Sequence, residues 1–242
     1  MAPGPTPISQ WVALVPGPAD VRVFESVVWT GAELIVWGGE EAEGRPTADG
    51  ASYDIDSGRW RALPQAPIGP RSGHVAVWTG SEMLVWGGVG RGGQPMNDAA
   101  AYDPERRRWR RLPDAPIDAT AGAVGAWTGT DLIVWGGRRG VDAVHAGAAY
   151  RPRTNRWRRI PAGPLASRPD APSAWTGCEL VVWSGLASEK IGIGSREFTD
   201  TAAAYDPRAR RWHLLPPPHR SFRTAYRPAF STRPAWCGRE AR

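Results

Sequence analysis

The sequence predicts an all-β protein, a propeller of four-stranded blades, and three observations carry that prediction. The chain repeats itself at a fixed period: Trp29 to Trp78 is 49 residues, and Trp78 to Trp127 is 49 again. A period in this range marks a repeat architecture. All 14 tryptophans fall into three registers of the repeat. Trp29, Trp78, Trp127, Trp175 and Trp236 begin W-T-G or a near match; Trp37, Trp86, Trp135 and Trp183 close an apolar run; Trp11, Trp60, Trp109, Trp157 and Trp212 precede a short stretch ending in proline. Finally, each unit carries apolar residues suited to both faces of a sheet, so it must bury itself against its copies, as a blade does in a ring.

Residues 71–116 serve as the type unit. Residues 73–78 (GHVAVW) are short and rich in β-branched and aromatic residues, and form strand a. Thr79-Gly80-Ser81-Glu82 makes a tight turn, with glycine where a two-residue hairpin of type II′ needs positive φ; Gly31, Gly129 and Gly177 recur there. The run 83–86 (MLVW) reads as strand b, covered on both faces, and Gly87-Gly88 lets its end bend or approach another backbone closely. A polar loop leads to strand c at 99–102 (AAAY). Asp103-Pro104 opens a turn, and strand d at 109–112 (WRRL) stops at Pro113. The Tyr-to-Trp spacing of 7 residues repeats from Tyr53, Tyr102, Tyr150 and Tyr205.

Composition excludes several classes. The chain has 242 residues, enough for one sizeable core. Its net charge is +6, but only Lys190 among 30 basic residues is lysine, and the arginine runs recur around the third-register tryptophans. A structural feature repeated in each unit explains that pattern better than one basic groove, so a nucleic-acid partner is not expected. Two cysteines make no disulfide framework, and Cys178 and Cys237, in equivalent turns of different units, are not expected to pair. No apolar stretch of about 18 residues predicts a membrane span. The N-terminus lacks the basic and apolar regions of a signal peptide, which implies a cytoplasmic protein as written, or an extracytoplasmic one if the true start lies upstream.

The motifs LIVWGG…Y…W (34–60), MLVWGG…Y…W (83–109) and LIVWGG…Y…W (132–157) resemble the kelch repeat, including the propeller domain of galactose-oxidase type. The fourth copy, LVVWSG, departs with Ser184 in place of glycine. The resemblance covers nearly the whole chain and implies a propeller, usually of about six or seven blades. Residues 1–8 are expected to be disordered and 9–242 to form one domain, with blades at about 22–64, 71–113, 120–161 and 168–216. A partial closing blade is expected from 9–15 (strand d at 10–14) with 219–242 (a degraded strand a near 229–236). The tail fits neither the spacing nor the composition of the other units, as a shortened or frameshifted reading frame would produce.

In such a blade the b–c and d–a loops share one face, and that face carries the variable residues. Arg22, Arg71 and Arg168 stand seven residues before their W-T-G tryptophans, with Thr120 at the same place in the third unit. Asp49, Asn97, Asp98, His145 and Asp200 lie on the b–c side, and His74 follows Arg71. Together these are the candidate ligand-binding residues: arginine forks suit a carboxylate or another anion, against the alternative of solvated loop ends with local ion pairs. No metal-ligand spacing, cofactor motif or catalytic set is recognised, and the copper chemistry of some kelch-like oxidases is not carried over. The expected function is a non-catalytic binding module for a protein or carbohydrate. The first alternative is an enzyme on an anionic sugar, resembling sialic-acid mutarotases of the kelch class, with His74 or Glu25 moving a proton. The second is a truncated remnant without independent activity. The incomplete blade also offers an edge for self-association.

Overall fold

A computed structural model describes residues 16–17, 22–140, 142–165, 169, 171–184 and 201–216. The expected disordered segment, the partial closing blade, Arg168 and Asp200 lie outside these residues. The described chain forms four antiparallel four-stranded sheets, each in simple sequential order. Blade 1 comprises β1 (Ser26–Trp29), β2 (Glu33–Trp37), β3 (Gly50–Asp54) and β4 (Arg59–Ala62). Blade 2 comprises β5 (Val75–Trp78), β6 (Met83–Trp86), β7 (Ala99–Asp103) and β8 (Arg108–Leu112). Blade 3 holds β9 (Val124–Trp127), β10 (Leu132–Trp135), then a small ribbon of β11 (Arg138–Arg139) with β12 (Asp142–Ala143), then β13 (Gly147–Arg151) and β14 (Arg156–Ile160). Blade 4 comprises β15 (Ser173–Trp175), β16 (Leu180–Trp183), β17 (Ala202–Asp206) and β18 (Arg211–Leu215).

First strands meet first strands: β1 lies against β5, β5 against β9, and β9 against β15. The sheets therefore radiate from a shared axis, with strand a innermost, which is propeller geometry. Strands β6 and β10 are buried at every residue, as apolar runs covered on both faces must be.

The tryptophan registers have distinct jobs. The Tyr-to-Trp spacing places the two residues directly opposite each other across the c–d hairpin, as in Tyr102↔Trp109 and Tyr150↔Trp157. Their ring centroids lie 5.0 and 5.2 Å apart. Each strand-d indole then reaches the preceding blade. Trp109 sits 5.5 Å from Trp37, Trp157 6.2 Å from Trp86, and Trp212 5.0 Å from Trp135. Its Nε1–H donates to the proline carbonyl just past the preceding strand d: Trp109 to Pro64 at 3.0 Å, Trp157 to Pro113 at 2.8 Å, Trp212 to Pro161 at 3.0 Å. At the N-terminal end Gly17 packs against the Trp60 ring so closely that an added Cβ would lie 3.2 Å away. Trp109→Phe keeps an aromatic ring but deletes the bond and the pyrrole half of the indole, and it is expected to cost about 1–3 kcal/mol in urea denaturation.

The W-T-G turn has glycine at positive φ, as expected: 104° at Gly31 and 100° at Gly80. It closes differently from a plain hairpin, because the threonine hydroxyl accepts the N–H that a backbone carbonyl would take, from Glu33 to Thr30 Oγ at 2.8 Å and from Glu82 to Thr79 Oγ at 2.9 Å. The second glycine of each pair is a true close approach. A Cβ on Gly39, Gly88 or Gly137 would come within 3.0, 2.6 or 2.7 Å of the carbonyl of Val23, Ser72 or Ala121. Ser184, at the first-glycine register, adopts φ 54° and keeps the left-handed bend without the glycine.

Candidate functional site

The close approach at the double glycines zips the d–a connection to the start of the b–c loop. Val23 bridges Glu40, Ser72 bridges Val89, and Ala121 bridges Arg138. Arg22 and Arg71 lie at this seam, and both turn inward. Arg71 is fully buried and grips Asp98 with two guanidinium nitrogens, at 2.8 and 3.1 Å. It also donates to the carbonyls of Gly69 and Gly87, each at 3.0 Å. Arg22 repeats the fork on Asp49 at 3.0 and 3.3 Å, adding Gly38 O and Thr47 Oγ. Burial opposes ionisation of Asp49, but the hydrogen bonds from Arg22 and Thr47 outweigh it and hold the carboxyl below its usual range. Each fork ties the entry of its blade to the end of its b–c loop.

The third blade lacks the fork in both halves. Thr120 stands for the arginine, and Ala146, whose carbonyl takes the Gly136 N–H as Asp98 takes that of Gly87, stands for the aspartate. Asn97 donates to Ile117 O at 3.3 Å, and His145 Nδ1 lies 3.0 Å from Leu165 O. The arginine forks thus tie each blade's entry to its own b–c loop, and Asn97 and His145 tie that loop to the connection leading to the next blade.

His74 lies between blades 1 and 2. Its Nε2 is 2.8 Å from Ser26 Oγ, and its ring meets Trp37 edge-on at 5.0 Å. Ser26 donates onward to Trp37 O at 3.3 Å, so His74 carries its proton on Nε2 and donates to the serine. Nδ1 is enclosed without a partner. Part of the residue surface stays open, but the ring sits in the seam, and burial, with the nearby Arg71 charge, lowers its pKa to about 3.

The same face carries an open groove of about 490 Å³ between blades 1 and 2. Pro46, Ala48, Leu63, Pro64 and Pro70 form its apolar lining, while Glu41, Arg45, Gln65 and Arg91 supply polar groups around Asp49. Apart from Asp49, sequence reasoning did not single out these residues. They lie between the repeated positions, and their only signal was membership in the variable loops.

The opposite face holds repeated ion pairs. Arg110 takes Glu82 with both ends of its fork, at 2.9 and 2.7 Å; Arg158 and Arg151 share Asp131 at 3.1 and 2.6 Å; His213 lies 3.7 Å from Glu179. Arg110 and Arg158, from the runs of blades 2 and 3, are therefore structural. Cys178, expected to be unpaired, is disulfide-bonded. That expectation weighed only the turns' places in different blades, and Cys237 lies outside the described residues. Among the described residues no cluster of His, Cys, Asp or Glu could hold a metal ion, and no helix is long and apolar enough to cross a membrane.

Comparison with known proteins agrees with this architecture. A family model described as the KLHDC2/KLHL20/DRC7 Kelch-repeats domain matches residues 22–230. No curated protein matches the chain. Among solved structures, that titled "Structure of YjhT" superposes with a TM-score of 0.67 at 19% identity, covering 85% of this chain and 68% of its own.

Proposed function

The chain belongs to the kelch-repeat family, whose propeller domains commonly bind proteins, and from that premise we propose that it is a protein-binding module working through the b–c/d–a loop face. The groove between blades 1 and 2 carries this reading. It is open and shallow, floored by prolines, and rimmed by Arg45, whose side chain is 71% exposed, and by the exposed Arg91. An extended peptide with acidic side chains suits such a groove better than a sugar, because no aromatic ring among the described residues lines it for a sugar face to stack on. A sugar-acid enzyme would need free arginine forks and a competent base. Arg22 and Arg71 already hold aspartates, and an imidazole with pKa near 3 is a feeble base at neutral pH.

The test is a random peptide library displayed on phage and selected against the protein. Selected peptides are expected to lose at least about tenfold in affinity for Arg45→Glu/Arg91→Glu, equivalent to about 1.4 kcal/mol. Peptides that bind the double variant as well as the wild type would sink the groove as the site. Sugar acids that bind there while no peptide is selected would sink the protein-binding reading itself.

A further inference from the structure

The flank of blade 1 that faces away from blade 2 is unlike any other surface of the described chain. Of the six exposed large apolar side chains, four gather there: Val23, Phe24, Val27 and Trp29, exposed by 54, 67, 52 and 49%. In later blades the registers of Val27 and Trp29 meet a neighbouring blade, while that of Phe24 stays open at Gly73. Ala76 and Trp78 pack on the core shared with blade 1, Trp127 on that of blade 2, and Trp175 on that of blade 3.

Blade 1 departs from the repeat at three of these four positions, each time toward a larger apolar residue. Val27 stands where the other blades have Ala76, Gly125 and Ser173. The small residue is needed against a blade: a Cβ on Gly125 would lie 2.2 Å from Val75. Val23 stands where Ser72 and Ala121 stand. Phe24 stands where Gly73 and Gly122 stand, and all three have positive φ, 58, 57 and 65°. Phenylalanine disfavours that conformation, and the open space around the Gly73 register sends its ring outward. A flank that trades small residues for bulky exposed ones is no longer shaped for a regular blade.

We infer that this flank docks onto the same flank of a second copy of the chain. An apolar patch is complementary to itself under a two-fold axis, and two-fold dimers are the commonest assemblies. Four strands about 4.8 Å apart, each of four or five residues, span roughly 19 by 15 Å, on the order of 300 Å² per copy, or about 600 Å² in total. That is below the size of a stable dimer interface, so the dimer is a weak one that forms only as concentration rises.

Sedimentation velocity of the full chain, over about 1–200 μM, tests this. The wild type is expected to move from monomer to dimer across that range. Val27→Asp/Trp29→Ser is expected to stay monomeric throughout, and so is Phe24→Gly, which restores the residue of the other blades. Leu214→Ser removes an equally exposed apolar residue on blade 4 and is expected to leave the dimer intact. A wild type that is monomeric at every concentration overturns the inference. So does a dimer that survives both flank variants, or one that Leu214→Ser also abolishes. Near-ultraviolet circular dichroism confirms the fold of each variant, and Phe24→Gly, which relieves an unfavourable φ, decides the matter if the double variant fails to fold.

Discussion

Arg71→Ala is expected to destabilise the protein by about 2–4 kcal/mol, because it removes the buried half of an ion pair and leaves Asp98 with only the more distant Arg111, 3.9 Å away. The Arg71 side chain is 0% exposed and that of Asp98 16%, so water makes good only a small part of the lost bonds. The alanine also leaves the Gly69 and Gly87 carbonyls without a donor. Removing both partners should be milder. Blade 3 already carries Thr120 and Ala146 at the two registers, with Thr120 fully buried, and it keeps the same zip at Ala121 and Arg138. Arg71→Thr/Asp98→Ala is therefore expected to recover the part of the loss that comes from the uncompensated charge, while the void and the two bare carbonyls remain. Arg22→Ala is the internal comparison. Asp49 is 65% exposed, and water screens the charge left behind, so about 1 kcal/mol is expected there. Urea denaturation of these three variants, together with the singles Arg71→Thr and Asp98→Ala, measures all of this. Equal losses for Arg22→Ala and Arg71→Ala, or a double variant as unstable as the sum of its singles, would show that the fork is not an internal clamp.

The fork also shows where sequence reading stops. The propeller is legible because its determinants repeat: a tryptophan every 49 residues, a tyrosine and a tryptophan facing across a hairpin, a glycine wherever two backbones touch. The arginines repeat as well, at Arg22 and Arg71, and their register on the loop face suggests open hands for an anion. What decides their role is whether the guanidinium turns to solvent or to the seam, and that depends on a residue 27 positions downstream. The partner spacing is the same for Arg22 with Asp49 and Arg71 with Asp98, and both members are absent together in blade 3. That correlated spacing was the available signal for an internal pair. The groove had none of this kind. Arg45, Gln65 and Arg91 stand between repeated positions, so no periodicity marks them, and only the fold brings their loops side by side. The exposed flank of blade 1 was half visible: Phe24 breaks a glycine register, but its exposure depends on which face of the blade is left uncovered.

His74 sets an acid limit on stability. Burial in the seam between blades 1 and 2 disfavours its charged form, and Arg71 nearby adds to that, so the folded protein holds it neutral down to about pH 3. An unfolded chain protonates the same side chain near pH 6.5. Between those values the unfolded state binds the extra proton, so stability falls as pH falls from about 6.5 toward 3 and is insensitive to this group above 6.5. The full shift would be worth more, but the residue retains some exposure, and a loss of roughly 2–3 kcal/mol between pH 7 and pH 4 is the expected size. Asp49, whose carboxyl is held below its usual range, also contributes stability that is lost toward acid pH, so the wild-type curve mixes the two groups. Subtracting the curve of His74→Gln isolates the histidine, since glutamine can still donate toward Ser26 but does not titrate. The difference in unfolding free energy is expected to move by those 2–3 kcal/mol in favour of the variant as pH drops from 7 to 4. A difference that stays flat over that range would mean that the imidazole is protonated in the folded state, and that the seam opens to water more readily than its packing against Trp37 implies.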